Sequence, residues 1–187
     1  MTILIGAPSC AGKTLMAQKL LETYKIPYFS ADHLKMGLYR ANIGCGFTPE
    51  DDDARIEERL WPILKGIIEV SIENGQDLII EGCYLFPQRL REFSAEYRKQ
   101  IIPVFMGFSA AYIQRNYHSG ILAHNSVMER RGEETRSAEW FIAANQQWRQ
   151  LCAESNVPCF EIDGDYQSET AKIYAWIDGK MRERVQP

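Results

Sequence analysis

Ile3-Leu4-Ile5-Gly6-Ala7-Pro8-Ser9-Cys10-Ala11-Gly12-Lys13-Thr14 is the stretch on which the reading of the chain turns. Thr2 to Ile5 is an apolar run of buried-strand length, and Leu15 to Tyr24 continues at helical spacing with Leu15, Met16, Leu20 and Leu21 on one face. The turn ending in Gly12-Lys13-Thr14 therefore lies between a strand and a helix, the setting a phosphate-binding loop requires. Backbone N–H groups exposed at a helix start, with the positive end of the helix dipole behind them, attract an anion. On this spacing Lys13 reaches the β- and γ-phosphates of a nucleotide, and the Thr14 hydroxyl holds Mg²⁺. The strict Gly-x-x-x-x-Gly-Lys-Ser/Thr pattern has Gly where this chain has Ala7, with Gly6 one residue earlier. The expected nucleotide-binding residues are Ala7, Pro8, Ser9, Cys10, Ala11, Gly12, Lys13, Thr14 and Leu15.

Composition narrows the classes around this loop. A chain of 187 residues buries one good core and is short for two ordinary domains, so a single domain over 1–187 is expected. Hydrophobic residues at 45% and charged residues at 25% are globular values that give no reason to expect disorder. A net charge of −4 argues against a partner bound by overall basicity, such as nucleic acid, and leaves local nucleotide binding open. The five cysteines, Cys10, Cys45, Cys83, Cys152 and Cys159, include no Cys-x-x-Cys pair, which disfavours a disulfide framework and a zinc site. The apolar stretch from Ile101 to Ile113 is interrupted and falls short of the roughly 20 residues a membrane span needs. A soluble, cytoplasmic protein without a membrane partner is expected; the sequence sets no oligomeric state.

Outward from the loop, Lys25 to Ala31 reads as a second strand, with Asp32 just past its end. In an open parallel sheet that carboxyl end is where ligands bind. Thr48-Pro49-Glu50-Asp51 reads as a helix start, and the helix is expected to run to Asn74-Gly75. Ile56, Leu60, Ile63, Leu64, Ile67 and Val70 would form its buried stripe, and Pro62 would kink or divide it. Asp77 to Gly82 is a third strand ending in Glu81, Pro87 opens a short helix, and Ile101 to Met106 is a fourth strand. Ser109 caps a helix carrying Arg115. From Tyr117 to Arg136 the apolar pattern weakens and basic residues gather, the composition of a lid between two helices. Ser137 restarts helix to about Glu154, Val157 to Ile162 is a fifth strand, and a last helix is capped by Ser168. Five strands alternating with helices predict a parallel α/β sheet with helices on both faces.

Taken together, the chain resembles the phosphate-loop small-molecule and nucleotide kinases. Asp32-His33-Leu34-Lys35 resembles the Asp-x-x-Arg that follows the second strand in adenylate kinases, zeta-toxin-like kinases and 2-phosphoglycerate kinase-like proteins, with Lys35 in the Arg position. Ile79-Ile80-Glu81-Gly82 followed by Pro87 is similar to the 2-phosphoglycerate kinase-like group. Ser9-Cys10-Ala11-Gly12-Lys13-Thr14 is similar to the loop of chloramphenicol phosphotransferase-like kinases. The resemblance implies a three-layer α/β/α P-loop NTPase fold whose five-stranded parallel sheet has the order 2-3-1-4-5. It also implies ATP on the loop, an acceptor held by a helical hairpin over residues 33–74, and a helical lid over 117–137. An adenine pocket would form from Arg115, the residues after it, and Asp163 to Tyr166.

Phosphoryl transfer leaves a protein mainly positioning and charge neutralisation to perform, which makes Lys13 the leading catalytic candidate. Asp32 reads as a general base, as a metal-shell or substrate-hydroxyl ligand, or as a helix cap. Thr14 with Asp32 or Glu81 would supply the hard oxygens that Mg²⁺ prefers; Glu81 also reads as a salt-bridged strand-end acid. Asp32, Lys35 and Arg40 are the candidates for acceptor binding, Arg40 equally a surface residue. Among Arg130, Arg131 and Arg136, Arg131 is the first candidate to close on the transferred phosphate, with Arg115 comparable; such a run also makes an ordinary solvated face. His33, His118 and His124 have no metal-ligand spacing. The expected function is an ATP- and Mg²⁺-dependent kinase passing the γ-phosphate to a small-molecule acceptor, a metabolite or nucleotide. The alternatives are an ATPase or nucleotide switch acting on a protein partner, or a nucleotide-binding protein without transfer.

Overall fold

A computed structural model of the chain describes residues 1–41, 44–124, 128 and 134–185. Its strands are β1 (Thr2–Gly6), β2 (Tyr28–Ser30), β3 (Leu78–Gly82), β4 (Ile101–Phe108) and β5 (Cys159–Ile162). They form one parallel sheet in the order β2-β3-β1-β4-β5, as the resemblance implies. Strands covered on both faces need apolar residues at successive positions rather than alternation, and β1 is buried along its whole length. The register pairs Ile5 with Glu81 and Gly6 with Gly82 between β1 and β3, and Ser30 with Glu81 between β2 and β3. These three strands therefore end level with one another, and their carboxyl ends carry the loop, Glu81 and the start of the next helix.

The helices are α1 (Lys13–Tyr24), α2 (Ala31–Arg40), α3 (Asp53–Glu73), α4 (Ala95–Arg98), α5 (Ala110–Asn116), α6 (Ala138–Glu154) and α7 (Tyr166–Val185). Ser109 and Ser137 accept hydrogen bonds from the N–H groups of Tyr112 and Trp140, which starts α5 and α6 where their side chains lead one to expect. The last helix differs: the Asp165 carboxylate, rather than Ser168, accepts at its start, from the Ser168 N–H at 2.9 Å. Pro87–Glu92 is a 3-10 helix, and α4 follows it with Ser94 as its cap.

Helix α3 departs from expectation in three ways. It begins at Asp53 with Asp52 as cap, because Thr48 and Asp51 bond each other in a closed turn before it. It continues unbroken through Pro62, whose ring is exposed, so that the carbonyl deprived of its partner can turn to water. Its buried stripe runs through Ile56, Leu60, Leu64, Ile68 and Ile72 with Trp61, while Ile63 and Val70 stand exposed. A step of four residues turns slightly more than one full helical turn, so the buried stripe winds slowly around α3 and leaves Ile63 and Val70 on its exposed side.

The residues gather into two compact units, Met1–Ala7 with Gly12–Pro103, and Pro8–Ala11 with Val104–Pro187. In the first, α3 packs against Leu4 and Ile80 of the sheet, and Leu34 and Leu38 of α2 pack on the same cluster. The helices of the region 33–74, where an acceptor-binding hairpin is expected, are α2 and α3. In the second, Phe105, Phe141, Trp148, Ile162 and Ile177 are buried, with Trp148 edge-on to Phe105. Among the described residues no helix is long and apolar enough to cross a membrane.

Candidate active site

The chain leaves β1 through Ala7, which is fully buried, and reaches α1 through two left-handed residues. Cys10 and Gly12 both adopt left-handed backbone, with φ of 61° and 84°. Glycine takes that conformation without steric cost, whereas a residue with a side chain is held in it at roughly 1–2 kcal/mol. Backbone strain of this kind collects where function dictates the path. α1 then starts without any described side chain capping it and without an acid in its first turn. The positive end of the α1 dipole, with no acid in that turn to offset it, has the sign that attracts an anion. Lys13, the first residue of α1, is 6% exposed. Thr14 and Leu15 follow it on the helix, partly buried.

In the same compact unit, the carboxyl ends of β2 and β3 bring several polar side chains together. Glu81 lies at the end of β3 and is 1% exposed. Level with it on β2, the buried Ser30 Oγ has no hydrogen-bond partner among the described residues. Asp32 occupies the first turn of α2, and its Oδ1 lies 3.0 Å from the Lys35 ammonium one turn on. Lys35 also donates to the Tyr84 hydroxyl at 2.8 Å, and its Nζ stands 5.3 Å from the centre of the Tyr84 ring. Tyr84 and the neighbouring Cys83 are both buried and follow β3 directly.

The electrostatics record the same gathering. Burial first, then Asp53 at the start of α3, pushes the Cys83 thiol up to about 12, with Lys13 pulling the other way and Asp32 adding to the rise. Burial first, then Cys83 and Asp32, raises the Tyr84 phenol far above its usual value. Both are neutral at physiological pH. Arg40 lies exposed in the last turn of α2, eight residues and about 12 Å along the axis from Asp32.

The second compact unit holds the segments expected to form an adenine pocket. Ser109 Oγ accepts from the Tyr112 N–H at 2.9 Å and donates to Asp163. Arg115 donates to the Asp163 carbonyl and lies 3.6 Å from its carboxylate. The loop after β5 is thereby tied to α5, with Phe108 stacked on Tyr112 at 4.6 Å and Tyr166 tilted against Phe108. Arg131 and Arg130 lie outside the described residues. Arg136 grips Glu134 with two N–H groups and stacks over Trp140 at 4.2 Å. Of the region expected as a lid, Tyr117–Leu122 forms a π-helix.

Lys13, Asp32 and Lys35 thus have neighbours that the sequence reading did not single out: Asp53, Cys83 and Tyr84. The available signal was position, since Cys83 and Tyr84 stand immediately past a parallel strand's carboxyl end. Among the described residues no three or more His, Cys, Asp or Glu side chains form a metal cluster.

No family model and no curated protein sequence matches the chain. Solved structures do match in fold. Shikimate kinase from Aquifex aeolicus is similar with a TM-score of 0.57 and 13% identity, over 97% of this chain and 98% of its own. Shikimate kinase from Bacteroides thetaiotaomicron is similar at 0.58 and 13%, over 95% and 98%. Deoxyadenosine kinase from M. mycoides is similar at 0.50 and 12%, over 96% and 100%. The chain therefore has the five-stranded parallel fold of the P-loop small-molecule kinases.

Proposed function

We propose that the chain is an ATP- and Mg²⁺-dependent kinase that transfers the γ-phosphate to a small-molecule acceptor, a metabolite or nucleotide, and that it works as one domain over 1–187 in a reducing cytoplasm. The observation that carries this reading is the start of α1, uncapped by any described side chain and preceded by left-handed Cys10 and Gly12, with Lys13 buried in it. That arrangement suits a polyphosphate, whose negative charge replaces the missing cap.

The loop from Ala7 to Gly12, with Lys13, Thr14 and Leu15, binds and orients the triphosphate through backbone N–H groups and the Lys13 ammonium. Thr14, Asp32 and Glu81 offer the hard oxygen donors Mg²⁺ requires, and the unpartnered Ser30 Oγ beside Glu81 gives a bound water of that shell an additional contact. Mg²⁺, when bound, neutralises charge on the phosphate oxygens. Asp32 orients the acceptor hydroxyl and accepts its proton when the acceptor is an alcohol; Lys35, and Arg40 at the far end of α2, bind the acceptor. Arg115, held to the loop after β5, faces the base, and Arg131 of the 117–137 lid closes on the transferred phosphate. The kinase neighbours in fold support the reaction class, and their identities leave the acceptor open.

The test is ATP turnover with a panel of glycerates, sugars, nucleosides, nucleotides and aminoglycoside-like alcohols. Transfer that depends on one acceptor and disappears in Lys13→Ala is the expected result. Turnover stimulated only by a protein partner, or nucleotide binding without turnover under any condition, would sink it.

A further inference from the structure

We propose that Tyr84 is a positioning residue of the acceptor site, its buried hydroxyl acting with the Asp32 carboxylate to hold the Lys35 ammonium at one point and aim its third N–H at the acceptor. The inference rests on the kinase reading for what Lys35 binds, though not for how Lys35 is held.

A lysine is a point charge on a flexible stem, and unlike the planar guanidinium of arginine it has no built-in direction. On its helix Lys35 has one natural partner, Asp32 at one turn's spacing. With that contact alone the ammonium would lie back along α2 and neutralise the acid. Tyr84 comes from a different part of the fold, just past the end of β3, 49 residues away. Its hydroxyl accepts a second N–H at 2.8 Å, and its ring lies within cation–π reach of the same ammonium. Tyr84 is itself fixed, being 2% exposed within the core cluster that contains Leu60 and Leu64 of α3. The ammonium is thus suspended between two parts of the fold, with its stem largely buried. Because the phenol is neutral, Tyr84 directs the charge without cancelling it. Ordering Lys35 before the acceptor arrives removes an entropy cost that binding would otherwise bear.

Tyr84→Phe keeps the ring and removes the hydroxyl. Two measurements follow from it. The first is reductive methylation of the free protein with formaldehyde and cyanoborohydride as the hydride donor, read residue by residue by mass spectrometry. Lys35 is expected to react several-fold faster in the variant, while Lys13 reacts as in the parent. The second uses whichever acceptor the panel identifies. KM for that acceptor is expected to rise about tenfold or more, the loss of a hydrogen bond to a charged group, while KM for ATP is unchanged and kcat falls by much less. Equal Lys35 methylation in parent and variant overturns the proposal. So does a rise in both KM values together with faster methylation of Lys13, which would mean that the hydroxyl only supports the fold. A panel with no acceptor defeats the kinase reading, and the methylation result still decides the role of Tyr84.

Discussion

A Cβ on Gly82 would stand 2.6 Å from the Cβ of Ala31, closer than real Cβ atoms approach. Glycine is needed there because β3 ends against the first turn of α2, the turn that carries Asp32. Gly82→Ala is expected to cost about 1–3 kcal/mol as an overpacked contact. Adding Ala31→Gly removes the opposing methyl and should restore the urea midpoint, less the ~1 kcal/mol that glycine costs in a helix. A single variant as stable as the parent would show that α2 can move aside. Sequence made some of this cluster legible and hid the rest for a physical reason. Asp32 and Lys35 lie one helical turn apart, a local spacing that can be read directly. Tyr84 meets Lys35 only through the pairing of β2 with β3, and a contact made by folding over 49 residues leaves no periodic trace.

At the scale of elements, α3 is fastened to the 3-10 helix by an ionic group with one buried member. Glu57, 3% exposed, receives two hydrogen bonds from Arg89, at 2.6 and 2.9 Å. Arg89 donates a third to Glu92 at 2.7 Å, and Trp61 donates to the other Glu92 oxygen at 2.7 Å. Removing one partner of a buried pair leaves the other uncompensated, so Arg89→Ala should cost about 3–5 kcal/mol by urea unfolding. Glu57→Leu combined with Arg89→Met, which removes both charges, should cost clearly less; equal losses would mean that Glu57 is solvated in the variant. Burial raises the Glu92 carboxyl, but the hydrogen bonds from Arg89 and Trp61 outweigh it and hold the group below its usual value. A lowered folded value stabilises the protein above the unfolded carboxyl value of about 4.3 and is lost as pH falls through the folded one. The thermal midpoint should accordingly drop below about pH 4.3, and Glu92→Gln should flatten that drop. The boundaries of α3 were less legible than its existence, because Thr48 and Asp52 are both good caps and only the Thr48–Asp51 turn decides between them.

For the whole molecule, alternation of strands and helices was enough to make the sheet parallel, since a parallel neighbour requires a crossover. The order β2-β3-β1-β4-β5 is not in the periodicity; it came with the resemblance to the phosphate-loop kinases, and the structure has it. What binds at that loop should be measurable as the stability of the entire chain. A ligand that binds only the folded state at a hundred times its Kd adds about 2.7 kcal/mol. For 187 residues each kcal/mol moves the midpoint by roughly 2–4 °C, so a non-hydrolysable ATP analogue with Mg²⁺ should raise it by about 5–11 °C. Chelating the metal should shrink the rise if Thr14, Asp32 and Glu81 hold it, as proposed. Lys13→Ala should abolish most of the rise while leaving the ligand-free midpoint near the parent value, provided the deleted charge serves the ligand rather than the core. Lys13 is buried, so the opposite outcome has a clear meaning: a variant that melts early by itself yet retains the full shift would assign Lys13 to the fold and move the nucleotide away from the start of α1.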